Sequence, residues 1–70
     1  MERKKVSSSH VRSIGYDARE QILEIEFFSG SVIQYSRVSS EIYRRLMAST
    51  TMKSYIEDNI KDNYTEKRIR

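Results

Sequence analysis

The apolar period of the chain changes at Arg37. Upstream, Leu23, Ile25 and Phe27 alternate with Glu24 and Glu26, the pattern of a strand with one buried face. Downstream, Val38, Ile42 and Leu46 recur every four residues, flanked by Tyr43 and Met47, as on one stripe of an amphipathic helix. Neither half can bury its apolar side alone. A sheet must offer one face and helices must cover it, so the chain is confined to an α+β arrangement.

The other elements follow from local signals. Val11 to Tyr16 reads as a short strand, and Asp17-Ala18-Arg19-Glu20 as a polar turn whose Asp can bond its own backbone two residues on. Gln21 to Phe28 and Ser31 to Ser36 read as the next two strands. Ser39 is placed to cap the first helix, with Glu41 in its first turn, where a negative charge is favourable. Ala48-Ser49-Thr50-Thr51 interrupts the stripe. Met52, Tyr55, Ile56 and Ile60 resume it, and the second helix is expected to end near Asp62-Asn63. The predicted fold is a three-stranded antiparallel meander followed by two helices packed on one face, in the order β-β-β-α-α. Residues 1–10 read as a basic, Ser-rich arm, 11–64 as one domain, and 65–70 as a basic tail.

The register of the second hairpin decides which side chains are displayed. A two-residue Ser29-Gly30 turn would set Ile33 and Tyr35 against Glu26 and Glu24. A three-residue loop, Phe28-Ser29-Gly30, pairs Ile25 with Ile33 and Leu23 with Tyr35, and puts Gly where a bulged loop needs a left-handed residue. The second register keeps all four apolar residues on one face, so Tyr35 is expected in the core. The expected core is Leu23, Ile25, Phe27, Ile33, Tyr35, Ile42, Leu46, Ile56 and Ile60.

A chain of 70 residues with 37% apolar content has enough for one small core and no deep active-site cleft, since a domain of this size buries only about 60% of its unfolded surface. The sequence has no Cys, which excludes disulfides and thiolate metal sites and is compatible with a cytoplasmic protein. No apolar run is long enough to span a membrane, and the charged, Ser-rich start does not resemble a signal peptide. The net charge of +3 is unevenly spread. Residues 1–5 and 65–70 each carry +2, and residues 6–64 carry −1. The basicity therefore belongs to the tails.

Catalysis has little to stand on. His10 is the lone His, and adjacent Ser9 and His10 would point to opposite sides of an extended chain. Glu24 and Glu26 share a strand face without a cleft around them. No metal-ligand spacing exists, no phosphate-binding Gly loop is present, and no cofactor is implied. The chain is expected not to be an enzyme. Nucleic-acid binding, RNA first, is the leading expectation, because Arg and Lys neutralise phosphates and aromatic faces stack on bases. Its contacts would come from Lys4, Lys5, Arg12, Arg37, Arg44, Arg45, Lys67, Arg68 and Arg70. Of the helix arginines, Arg45 follows Glu41 by four residues and can pair with it. The alternative is a protein-interaction module using a sheet edge or a surface apolar patch at Phe28 and Ile22.

Taken in order, Ser8-Ser9, Val11, Ile14-Gly15-Tyr16-Asp17, Leu23-Glu24-Ile25-Glu26-Phe27, Gly30, Val32, Tyr35 and Val38 form a recognisable series. It continues through Tyr43, Leu46, Ala48, Tyr55, Ile60-Lys61 and Tyr64. The series resembles the KTSC domain, a short module found alone in bacterial and phage proteins and at the C-terminus of some lysyl-tRNA synthetases. That attachment implies RNA binding. The family's Tyr-x-Tyr signature is Ile33-Gln34-Tyr35 here, and Ser39 replaces the Pro that usually follows the Val. Ile33 cannot donate a hydrogen bond, so the departure assigns that position to packing.

Overall fold

A computed structural model describes residues 2–70. Its elements are β1 (Arg3–Lys5), β2 (Val11–Asp17), β3 (Ile22–Phe27), β4 (Val32–Tyr35), α1 (Ser40–Ala48), α2 (Met52–Tyr55) and β5 (Glu66–Arg68). The helix α2 runs directly into a π-helical segment, Ile56–Ile60. The five strands form one sheet in the order β1-β2-β3-β4-β5, and every neighbouring pair is antiparallel.

The three-stranded meander is therefore corrected to a five-stranded sheet. The three predicted strands are its centre, and the arm and the tail each add an edge. The helices lie between β4 and β5 in the chain. The reason the edges escape a pattern-based reading is physical. Arg3-Lys4-Lys5 and Glu66-Lys67-Arg68 are exposed throughout, so no apolar alternation marks them. Backbone pairing and ion pairs hold them instead.

The hairpin register is the three-residue one. Leu23 faces Tyr35 and Ile25 faces Ile33. Phe27 N donates to Ser31 O at 2.9 Å and Gly30 N to Phe27 O at 3.0 Å. Gly30 sits at φ +99°, a conformation that a Cβ would strain. In β2 the register shifts between Val11 and Ser13, leaving Arg12 as the extra residue of a β-bulge. Such a bulge turns a side chain out of the sheet.

Leu23, Ile25 and Tyr35 meet Val11 and Ile14 of β2 and Leu46, Met52, Ile56 and Ile60 from the helical segments in one core, closed by Val38. Phe27, Ile33 and Ile42, expected inside, are only partly buried against it. Ser39 caps α1 as predicted, accepting from Ile42 N. Val32 is also buried, on the opposite face of the sheet, where the chain after β5 bonds back to it through Ile69 N and Arg70 O.

Tyr35 is 2% exposed. Burial, then the neighbouring Glu66 and Asp62, push its hydroxyl up to about 12. The raised value means that its contribution is complete below the ordinary value of 10.0 and is lost as pH climbs towards about 12. Tyr35→Ala should lower the unfolding free energy by ~3–5 kcal/mol in a denaturant titration, the usual cost of truncating a large buried aromatic. Absorbance at 295 nm, which sums all five tyrosines, should show a late tyrosinate step that coincides with loss of the circular dichroism signal and is absent from Tyr35→Phe. Tyr35→Phe should move the loss of that signal to higher pH.

Candidate nucleic-acid interface

The face of the sheet opposite the helices carries the two carboxylates of β3. Glu24 pairs with Arg3 at 3.3 Å and accepts from Gln34 Nε2 at 2.8 Å. Glu26 pairs with Arg70 at 3.0 Å and accepts from Ser13 Oγ at 2.8 Å. Their side chains are only 14% and 13% exposed. The hydrogen bond from Ser13, then the charges of Arg3, Arg12 and Arg70, hold the Glu26 carboxyl below the usual value. The two glutamates that share this strand face are thus clamped from the two ends of the chain.

The C-terminal clamp gathers cations around the β3–β4 hairpin loop. The bulge at Arg12 places its guanidinium over the Phe28 ring, 5.4 Å from the centroid. Arg70 Nε reaches Gly30 O, and an Arg68 terminal nitrogen reaches Ser31 Oγ, both long contacts of 3.4 Å. Three guanidinium groups thus surround one loop, with Glu26 as the partnered carboxylate. Arg12, Arg68 and Arg70 are all exposed. Phe28 is 51% exposed and Ile69 48%.

Phe28 and Ser29 also form one wall of a groove of about 480 Å³. Its lining includes the apolar Phe27, Ile33 and Ile56 and the polar His10, Lys61 and Glu66. The π-helical segment supplies Ile56 to this lining, and Phe27 and Ile33 are only half-buried because they border the same space.

The remaining predicted cations lie elsewhere. Lys4 and Lys5 are on β1, at the far edge of the sheet from Lys67 and Arg68 on β5. The two edge strands are separated by three others, so Lys4 and Lys5 do not join Lys67 and Arg68 in one patch, and among the described residues the tails approach each other only through Arg3 and Arg70 at the two β3 carboxylates. Lys67 stands opposite Gln34. Arg37 occupies the β4–α1 connection at φ +62°. Arg44 is exposed on α1, and Arg45 is held by Glu41 in the expected i,i+4 pair. Of the nine, the structure brings together Arg12, Arg68 and Arg70.

Two features went unread in the sequence. Arg3 was counted as tail charge and is an ion-pair partner. Ser9 and His10 were expected to point apart, yet Ser9 Oγ lies 2.9 Å from His10 Nδ1. The chain bends there because Ser8 Oγ accepts from the backbone N–H groups of His10 and Val11. Both side chains are exposed, and no group of metal-ligating residues is present among the described residues. At the other end of the sheet, Tyr16 and Tyr43 stack at 4.7 Å between centroids, and the Tyr16 hydroxyl donates to Val38 O. Among the described residues no helix is long and apolar enough to cross a membrane.

A small five-stranded sheet with two helical segments on one face defines the class. The KTSC domain profile matches residues 7–64, and the chain belongs to the KTSC domain family. The crystal structure of a KTSC domain protein from Yersinia pestis superposes with a TM-score of 0.95 at 30% identity, covering 99% of this chain and 97% of that one. An uncharacterized protein of Stutzerimonas stutzeri is 40% identical over 52 residues, 74% of this chain and 73% of its own length. A protein of Tsukamurella paurometabola is 30% identical over 59 residues, covering 84% and 88%. The match to the Yersinia structure takes in the edge strands that lie outside the family profile.

Because the Glu26 carboxyl is held below its ordinary value of 4.5, its contribution to stability is complete above that value and disappears as pH falls through the folded one. The stability that this site contributes should therefore decline below about pH 4.5. Glu26→Gln should flatten this limb of the stability profile, measured as melting temperature against pH.

Proposed function

We propose that this KTSC-domain protein is a non-enzymatic binding module for single-stranded nucleic acid, RNA first, and that its contact surface is the β3–β4 hairpin tip. The observation that carries this reading is the convergence of Arg12, Arg68 and Arg70 around one loop beside a half-exposed Phe28. Guanidinium groups neutralise phosphates, and an exposed aromatic ring offers a face on which a base can stack. Recognition would be weak and tolerant of sequence, because no basic helix presents side chains to a duplex groove.

The alternative is a protein-interaction module. Its sheet-edge form loses support, because β1 and β5 are three residues long, charged and exposed, and short charged edges resist the addition of a strand. Its apolar-patch form keeps one supporting observation, the groove beside Phe28.

Salt dependence tests the nucleic-acid reading. Three phosphate contacts on a single strand predict a slope of about −2 for log K against log salt concentration. Arg12→Ala and Arg68→Ala should each make the slope shallower by about 0.7, whereas Arg44→Ala should leave it unchanged. Fluorescence anisotropy of a labelled RNA oligonucleotide measures all four proteins. Binding that ignores salt, or that survives both hairpin-tip substitutions unchanged, refutes the assignment.

A further inference from the structure

We infer that the 480 Å³ groove is the seat for one unstacked nucleobase of a strand whose phosphates lie against Arg12, Arg68 and Arg70. This deepens the nucleic-acid reading and rests on it. The two features share a wall. Phe28 lines the groove and carries the Arg12 guanidinium over its ring, and Ser29 lines the groove one residue before the carbonyl that Arg70 contacts. A strand crossing the loop would therefore have its backbone on the guanidinium side and a base within reach of the apolar side.

The dimensions and the chemistry of the groove agree with that occupant. Its volume lies within the roughly 300–1,000 Å³ of sites that take small organic ligands. Phe27, Phe28, Ile33 and Ile56 provide aromatic and aliphatic surface for a flat ring. His10 and Glu66 also line the groove, as groups able to hydrogen-bond a base edge. A base stacked inside a duplex cannot enter, so the ligand is single-stranded or has a frayed end. The guanidinium cluster on the other side of the shared Phe28 wall favours a polyanion over an apolar peptide segment, which could use the same groove walls but would gain little from arginines beyond them.

The test compares two RNA hexamers of equal charge, one with all bases and one with abasic sugars throughout. Isoleucine methyl groups are labelled for NMR in the full-length protein. The intact hexamer should shift the Ile33 and Ile56 methyl resonances, and the abasic hexamer should bind roughly tenfold more weakly without shifting them. If both hexamers bind equally and neither moves these methyls, the base seat is refuted while the phosphate contact stands. If neither hexamer binds at low salt, the nucleic-acid reading fails and the base seat fails with it. If an apolar peptide shifts the two methyls and RNA does not, the groove belongs to a protein partner and the inference is overturned.

Discussion

The pairing of Leu23 with Tyr35 and of Ile25 with Ile33 governs the rest of the molecule. Strand side chains alternate between faces, so this one register decides every facing in β3 and β4. It sends Tyr35 into the core at 2% exposure. It leaves Glu24 and Glu26 on the opposite face, where cations and hydrogen-bond donors together make their burial tolerable. It also requires a three-residue loop, which sets Phe28 at the tip with no room in the core. Core, clamped carboxylates and exposed ring are three results of one pairing.

Electrostatics then divides the arginines by role. Arg3 and Arg70 are tied to glutamates that the core-facing strand cannot turn inward. Arg45 is tied to Glu41 on the helix surface. Arg12 and Arg68 make no ion pair among the described residues, and both lie at the hairpin tip. A surface pair such as Arg45–Glu41 adds little stability because water screens it. The Glu26 site is different, since a neutral hydroxyl and several guanidinium groups act on one largely covered carboxylate. Local positive potential at the tip is therefore a property of the folded sheet and cannot be obtained by adding charges along the chain.

The sequence made the central strands, the helix cap at Ser39 and the hairpin register readable, because each leaves a pattern of apolar residues or a capping signature. The edge strands left none. Lys4 and Lys67 pair through their backbones, and backbone pairing is indifferent to side-chain type. Arg12 could be read as a strand residue but not as a bulged one, since the shift at Val11/Ser13 depends on the partner strand. The approach of Ser9 to His10 depends on a bend made by the Ser8 hydroxyl. Phe28 was visible as an apolar residue without a core partner, while the arginines around it were not, because two of them arrive from the far end of the chain.

The placement of β5 has a consequence for the order of assembly. Its partner β4 ends before α1 begins, so the last strand can dock only after the chain has passed through both helical segments. The Arg70–Glu26 contact spans 44 residues, and closing so long a loop has an entropic cost that local hairpins avoid. During synthesis or partial unfolding, a chain whose final strand is undocked has one guanidinium at the hairpin tip where the finished molecule has three. Any ligand that needs all three would discriminate completed molecules from incomplete ones and would, by mass action, hold the last strand in place.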